Sequence, residues 1–199
     1  MTPQTKGEQT RAAILDEALK IASKLGLEGL TIGSLADATG MSKSGLFAHF
    51  GSREDLQLAV LDHAAQLYGE KVFVPVLKIE RGLPRLRALF ERWLDWAEGK
   101  AIPGGCPVLA ASYEFDDRPG AVRDETARVQ EELIVALARA AQLGVEAGHF
   151  DADLDVRQLA YELHGIMLAF HLHHRLLRSD ESRARALSAF EALLRRARA

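Results

Sequence analysis

Along most of the chain, apolar residues recur three or four positions apart, the period of a helix with one buried face. Between Arg11 and Leu25 they fall at Ile14, Ala18, Ile21, Ala22 and Leu25, and Gly26 ends the run. A second, shorter helix is predicted from Leu35, Ala36 and Thr39, with Thr31 as its N-cap and Gly40 just past its last turn. Ser42 is placed to cap a third helix in which Leu46 and Phe50, four apart, turn inward and leave Lys43, Ser44 and Phe47 on another face. Gly51-Ser52 interrupts the pattern. Ser52-Arg53-Glu54-Asp55 then supplies a capping serine and a carboxylate at the third helical position, so a fourth helix is expected to run towards Val72.

Pro75, Gly82 and Pro84 punctuate the chain before helical spacing resumes. Leu86, Leu89, Phe90, Trp93 and Ala97 share one face, and Val122, Val129, Leu133, Leu137 and Ala140 another. A third face carries Val156, Leu159, Leu163, Ile166, Met167 and Phe170, and a last helix carries Leu187, Phe190 and Leu194 before ending in arginines. Few segments alternate with period two, so the expected class is all-α, without repeats or low-complexity tracts.

The two short helices meet through Gly40, with the small Ala36 where they must approach. That spacing describes a helix-turn-helix whose second helix is free to enter a DNA major groove. The expected organisation is a small N-terminal unit at 1–55, joined by the fourth helix from about residue 53 to a larger helical remainder at 56–199.

Charge narrows this picture. The 199 residues carry a formal charge of −3, and Met1 to Val60 has six Lys and Arg against seven Asp and Glu, so a DNA contact must come from a local patch. From Ala38 to Arg53 there is no carboxylate, while Lys43, His49 and Arg53 all fall there. A phosphate can approach that stretch unopposed. Cys106 is the only cysteine, which excludes an intrachain disulfide or a cysteine-based zinc site built from one chain. With no signal-peptide pattern at the start and no apolar run of membrane-spanning length, a cytoplasmic protein is expected.

The string Leu30-Thr31-Ile32, then Ala36, then Gly40-Met41-Ser42-Lys43-Ser44-Gly45-Leu46-Phe47-Ala48-His49-Phe50-Gly51-Ser52-Arg53-Glu54-Asp55-Leu56 closely resembles the DNA-binding signature of the tetracycline-repressor (TetR) family. The resemblance implies a three-helix helix-turn-helix DNA-binding domain at 1–55 followed by a helical ligand-binding and dimerisation domain at 56–199, and a ligand-responsive regulator, a repressor that binds a palindromic operator as a homodimer and is released by a small-molecule inducer. It implies that Thr31, Ser42 and His49 contact the DNA backbone and that Lys43, Ser44, Gly45 and Phe47 face the groove. Chemistry agrees: Lys43 can donate to phosphate or guanine, Ser44 is short enough to sit against base edges, and Gly45 permits close approach. Arg53 can add a phosphate contact. Phe47 departs from the tyrosine frequent in the family, which removes a hydroxyl but leaves a ring able to pack on a sugar or a thymine methyl.

Reading two half-sites on one face of DNA requires a dimer. Leu168, Leu172, Leu187, Phe190 and Leu194 are the expected interface, with closure of the monomer core as the other reading. Phe90, Trp93, Trp96, Cys106, Tyr113, Met167 and Phe170 are the candidate inducer pocket, since aromatic and methionine side chains commonly line small-molecule cavities. Cys106, ahead of Pro107, would stand at a helix N-terminus, as a cap or as a thiol of lowered pKa. His171 and His174 could chelate a metal by spacing, but no carboxylate follows at helical spacing. Asp151, Asp153, Asp155 and Glu162 imitate a calcium loop, yet Val156 stands where glycine must turn, so they read as helix-start acids and no metal site is expected. No nucleophile triad, phosphate loop or dinucleotide fingerprint is present, so neither an enzyme nor a cofactor is expected.

Overall fold

The computed structural model describes residues 5–198. Among them no residue is in a strand, and the elements follow the chain as α1 (Lys6–Gly29), α2 (Ile32–Thr39), α3 (Lys43–Phe50), α4 (Arg53–Tyr68), a π-helical turn (Gly69–Phe73), α5 (Val74–Val76), α6 (Leu83–Ala97), α7 (Pro107–Glu114), α8 (Ala121–Glu146), α9 (Val156–Arg175) and α10 (Ser182–Ala197). The all-α class expected from periodicity is the one observed. No described helix is long and apolar enough to cross a membrane.

Local chemistry explains where the elements begin and end. α1 is broken at Gly26, whose φ of 76° is left-handed backbone. Thr31 caps α2 by accepting from the Ser34 N–H at 3.0 Å, and the Ser34 hydroxyl accepts from the Thr31 N–H at 3.1 Å. Gly40 follows α2 with φ 67°, the left-handed residue that turns the chain into α3. Ser52 does as expected for α4: its Oγ accepts from the Asp55 N–H at 3.0 Å and donates to the Asp55 carboxylate at 2.6 Å. Beyond Tyr68 the expected run towards Val72 is completed by the π-helical turn, not by more α-helix.

The chain divides into two compact units: 1–67 with 102–129, and 68–101 with 130–199. The first packing unit is larger than the segment expected at 1–55, because α4 and α7 lie with the N-terminal helices, α7 packing on α1. Its core gathers Ile14, Leu15, Ala18, Leu19 and Leu27 of α1 with Leu35, Leu46, Phe50, Leu56, Val60 and Leu61. Each is almost wholly removed from water, which is where helices too short to persist alone obtain their stability. The second unit is built on α9 against α10 and α6, with Leu159, Leu163, Met167 and Phe170 of α9 buried, as are Phe90 and Trp93 of α6 and Phe190 of α10. The Phe90 and Phe190 rings stack at 4.2 Å, and Trp93 meets Phe170 edge-on at 6.0 Å. Arg87 grips Glu191 through both nitrogens of its guanidinium fork, joining α6 to α10.

Candidate functional site: a helix-turn-helix interface

α3 is short and is held from beneath. Leu46 is fully buried, and Phe50 lies under the Arg11 guanidinium, 5.2 Å from the ring centroid. With that face anchored, Lys43, Ser44 and Phe47 project outward, and Phe47 is 47% exposed, an unusual position for a large apolar ring. Among the described residues no carboxylate lies within ion-pair distance of Lys43. Ser42 caps the helix by accepting from the Gly45 N–H at 3.1 Å, and its hydroxyl lies 3.2 Å from that of Ser44. A Cβ on Gly45 would stand 3.2 Å from the Ser42 oxygen, so glycine also makes room for the cap. Thr31 and Ser42 are exposed at the starts of α2 and α3, and His49 is half-buried, its ring tilted against Phe50. Arg53 is committed within the chain: it donates to the Glu28 carbonyl and pairs with the Glu28 carboxylate at 3.4 Å.

Beneath this surface lies a polar corner that sequence reasoning missed. The break at Gly26 strips the Leu27 and Glu28 N–H groups of helical acceptors, and Glu114 at the end of α7 takes both, at 2.8 and 2.7 Å. Gln57, only 5% exposed, donates to the Leu27 carbonyl at 2.9 Å and to the Glu28 side chain at 3.3 Å. Arg118 reaches Glu28 at 3.5 Å. Close by along α1, the Gly104 N–H donates to the Ser23 hydroxyl at 3.1 Å, and a Cβ on Gly104 would fall 1.7 Å from the Ser23 carbonyl oxygen. Gly26 announced that donors would be orphaned here. Nothing local announced that the acceptor lies 87 residues away.

The candidate pocket residues are divided. Phe90, Trp93, Met167 and Phe170 are buried among one another's neighbours in the second unit, whereas Cys106 and Tyr113 belong to the first. Cys106 is half-buried at the N-cap of α7 ahead of Pro107, as its sequence context implied, and Tyr113 is 65% exposed. Of the set, Trp96 borders an open cleft of about 170 Å³, shared with Lys71, Val72, Arg92, Asp95, Lys100 and Ala101, and Phe170 borders another. Of the candidate interface residues, Phe190 and Leu194 are spent on the chain's own core, while Leu172 is exposed and Leu168 and Leu187 are half-buried. A second cleft, of about 210 Å³, runs between α9 and α10 past Ile166, Ala169 and Ala189.

The histidines take separate roles. His174 stacks on Phe170 at 5.4 Å, and its Nδ1 lies 3.5 Å from the Ser182 hydroxyl. His171 has its Nε2 buried with no hydrogen bond among the described residues; burial, with Arg175 and His174 nearby, holds its pKa down at about 4. Asp155 caps α9 by accepting from the Arg157 and Gln158 N–H groups, both at 3.0 Å, the helix-start role expected of it. Among the described residues, no three His, Cys, Asp or Glu side chains converge as metal ligands.

Two family models match the chain: bacterial regulatory proteins of the tetR family over residues 14–60, and the tetracyclin repressor-like C-terminal domain over 82–190. The second alone spans more than half of the chain. The protein belongs to the TetR family of transcriptional regulators. It is similar to the HTH-type transcriptional regulator SrpR of Pseudomonas putida, 25% identical over 194 residues that cover 96% of this chain and 87% of that protein. It is also similar to the HTH-type transcriptional repressor AcnR of Corynebacterium glutamicum, 37% identical over 67 residues, 34% of this chain and 36% of AcnR. The match thus spans about a third of that relative's length. The crystal structure of a TetR transcriptional regulator from Chloroflexus aurantiacus superposes with a TM-score of 0.84 at 26% identity, covering 95% of this chain and 94% of that one. The helix-turn-helix of this TetR-family member is therefore α2, the Gly40 turn and α3, and Phe47 stands exposed where the family often has tyrosine.

Proposed function

We propose that this TetR-family protein is a homodimeric repressor that occupies a palindromic operator and is released by a small-molecule inducer. The observation that carries the reading is α3 itself: a short helix clamped by Leu46 and Phe50 that presents an unpaired Lys43, Ser44 and an exposed Phe47 on a carboxylate-free stretch. Lys43 and Ser44 reach base edges or phosphate, Gly45 lets the backbone approach, Phe47 packs on sugar or thymine, and Thr31, Ser42 and His49 fix the register on phosphates. Arg53 contributes to phosphate binding only by exchanging its bonds to Glu28; its first duty is to hold the corner.

The dimer surface in this reading is the outer side of α9 and α10. Leu172 is 49% exposed and Tyr161 73%, and the cleft past Ile166, Ala169 and Ala189 offers a groove for a second copy. Large exposed apolar side chains along a helix beside such a groove are a usual mark of an interface. Ligand binding among the aromatic residues of the second unit shifts α4 and with it the separation of the two recognition helices. A preference of about 3 kcal/mol for the non-binding spacing changes operator occupancy on the order of a hundredfold.

Selection of the purified protein on a randomised duplex library at fixed salt tests this. Enrichment of a palindrome that disappears with Lys43→Ala is the expected result. A folded dimer that enriches no sequence even at low salt would sink operator binding and leave a ligand-binding protein.

A further inference from the structure

The Glu28 side chain, at the corner after α1, is approached by donors from three places in the sequence. Gln57 of α4 donates to Oε1 at 3.3 Å, Arg53 at the start of α4 lies 3.4 Å from Oε2, and Arg118, between α7 and α8, lies 3.5 Å from the same oxygen. Glu114, the other carboxylate of the corner, is taken by the Leu27 and Glu28 N–H groups. One oxygen therefore faces two guanidiniums at nearly equal range. Neither holds it closely, since a full charge-assisted bond of this kind closes to about 2.8 Å.

Arg53 is held by a single nitrogen. Its Nη2 both donates to the Glu28 carbonyl and makes the carboxylate contact, while Nη1 and Nε meet no acceptor among the described residues. Arg87 differs, gripping Glu191 through both nitrogens of its fork. A guanidinium with most of its donors unused, on a side chain 46% exposed, is released at small cost: a loose surface pair is worth only about a few-fold in an equilibrium constant. Its place in the fold makes the release useful. Arg53 stands just beyond α3, and Glu28 stands three residues before Thr31, the exposed cap of α2. If Arg53 leaves, the carboxylate keeps Arg118 and Gln57, the backbone break stays closed by Glu114, and water answers the exposed Glu28 carbonyl.

We infer that Glu28 restrains Arg53 in the free protein and that Arg118 takes over the Glu28 carboxylate as Arg53 swings to a DNA phosphate. A residue in the segment matched by the C-terminal family model then sets the strength of operator binding. A phosphate offers the guanidinium fork two oxygens in place of one that is shared, and its neutralisation releases a condensed counterion. The inference deepens the operator-binding reading and rests on it.

The test measures binding of the full chain to the duplex enriched by operator selection, over a range of salt concentrations. The variants are Arg53→Gln, Arg53→Lys, Glu28→Gln and Arg118→Gln, with Glu28→Gln also combined with Arg53→Gln and with Arg118→Gln. Arg53→Gln is expected to flatten the plot of log K against log salt by about 0.9 per protomer, and Arg53→Lys to restore it. Glu28→Gln should bind roughly threefold tighter and Arg118→Gln roughly threefold more weakly. The gain should vanish in the Arg53→Gln background and the loss in the Glu28→Gln background. Partial unfolding lowers apparent affinity at every salt concentration without changing the slope, so the slope decides between a phosphate contact and a merely structural role. An unchanged slope in Arg53→Gln overturns the inference. So does a Glu28→Gln gain that persists without Arg53, which is plain repulsion between carboxylate and DNA, or an Arg118→Gln loss that persists without Glu28. Operator binding with uncoupled variants rejects this inference alone; a parent protein that binds no duplex even at low salt rejects the operator reading and this inference with it.

Discussion

The corner after α1 and the interior of the second unit treat buried polar groups in opposite ways. At the corner, a backbone break at Gly26 exposes two donors and the fold answers each, through Glu114, while Gln57 takes the neighbouring carbonyl. In the second unit, Trp96 Nε1 and His171 Nε2 are buried and, among the described residues, left without a hydrogen bond. The net value of a made bond is small and the cost of an unmade one larger, so the corner is a part whose geometry is worth holding in one state. The unanswered ring nitrogens of the second unit forgo that gain, so holding them there costs stability.

The contrast carries measurable consequences. The largest belongs to Gly104→Ala, whose Cβ would stand 1.7 Å from the Ser23 backbone oxygen, a contact no rotamer relieves. Chemical denaturation should show a loss of at least about 3 kcal/mol, and a loss near zero would mean that the loop carrying Gly104 is not held against α1. Next comes Glu114→Ala, which strands the Leu27 and Glu28 N–H groups and should cost about 2 kcal/mol, with Glu114→Gln recovering part of it. Urea midpoints of the three proteins decide this; equal midpoints would show water satisfying the corner as well as the carboxylate does.

His171 sets a pH dependence. Its unfolded pKa lies near the ordinary 6.5 and its folded value near 4, so the unfolded chain binds the extra proton between them. This contribution is therefore complete above pH 6.5 and is lost as pH falls towards 4. His171→Gln should flatten that part of the stability profile relative to the parent, and an unchanged slope would mean that the ring titrates normally in the folded state. The smallest effect is expected of Trp96→Phe, where lost packing is offset by removal of an unanswered donor. Its stability should stay within about 1 kcal/mol of the parent although Trp96 is more buried than Glu114. A cost of several kcal/mol would show that the indole N–H is bonded after all.

By itself the sequence determined the helices, their caps and which side chains α3 exposes. Thr31, Ser42, Ser52 and Asp155 cap where their spacing to the next apolar residues put them, and Gly40 turns left-handed as the corner demands. Leu46 and Phe50 go inward and leave Lys43, Ser44 and Phe47 outside. These outcomes depend on relations between residues at most four apart, which one stretch of chain contains in full. Only the tertiary structure decided that Glu114 and Gln57 close the break at Gly26, and that α4 and α7 pack with the N-terminal helices beyond residue 55. It alone turned Phe190 and Leu194 inward while Leu172 stayed exposed, and gathered Lys71, Arg92 and Trp96 around one cleft. Helical periodicity marks which face of a helix is apolar; which distant segment covers that face, and which polar atom is left over when it does, is set only when the helices pack.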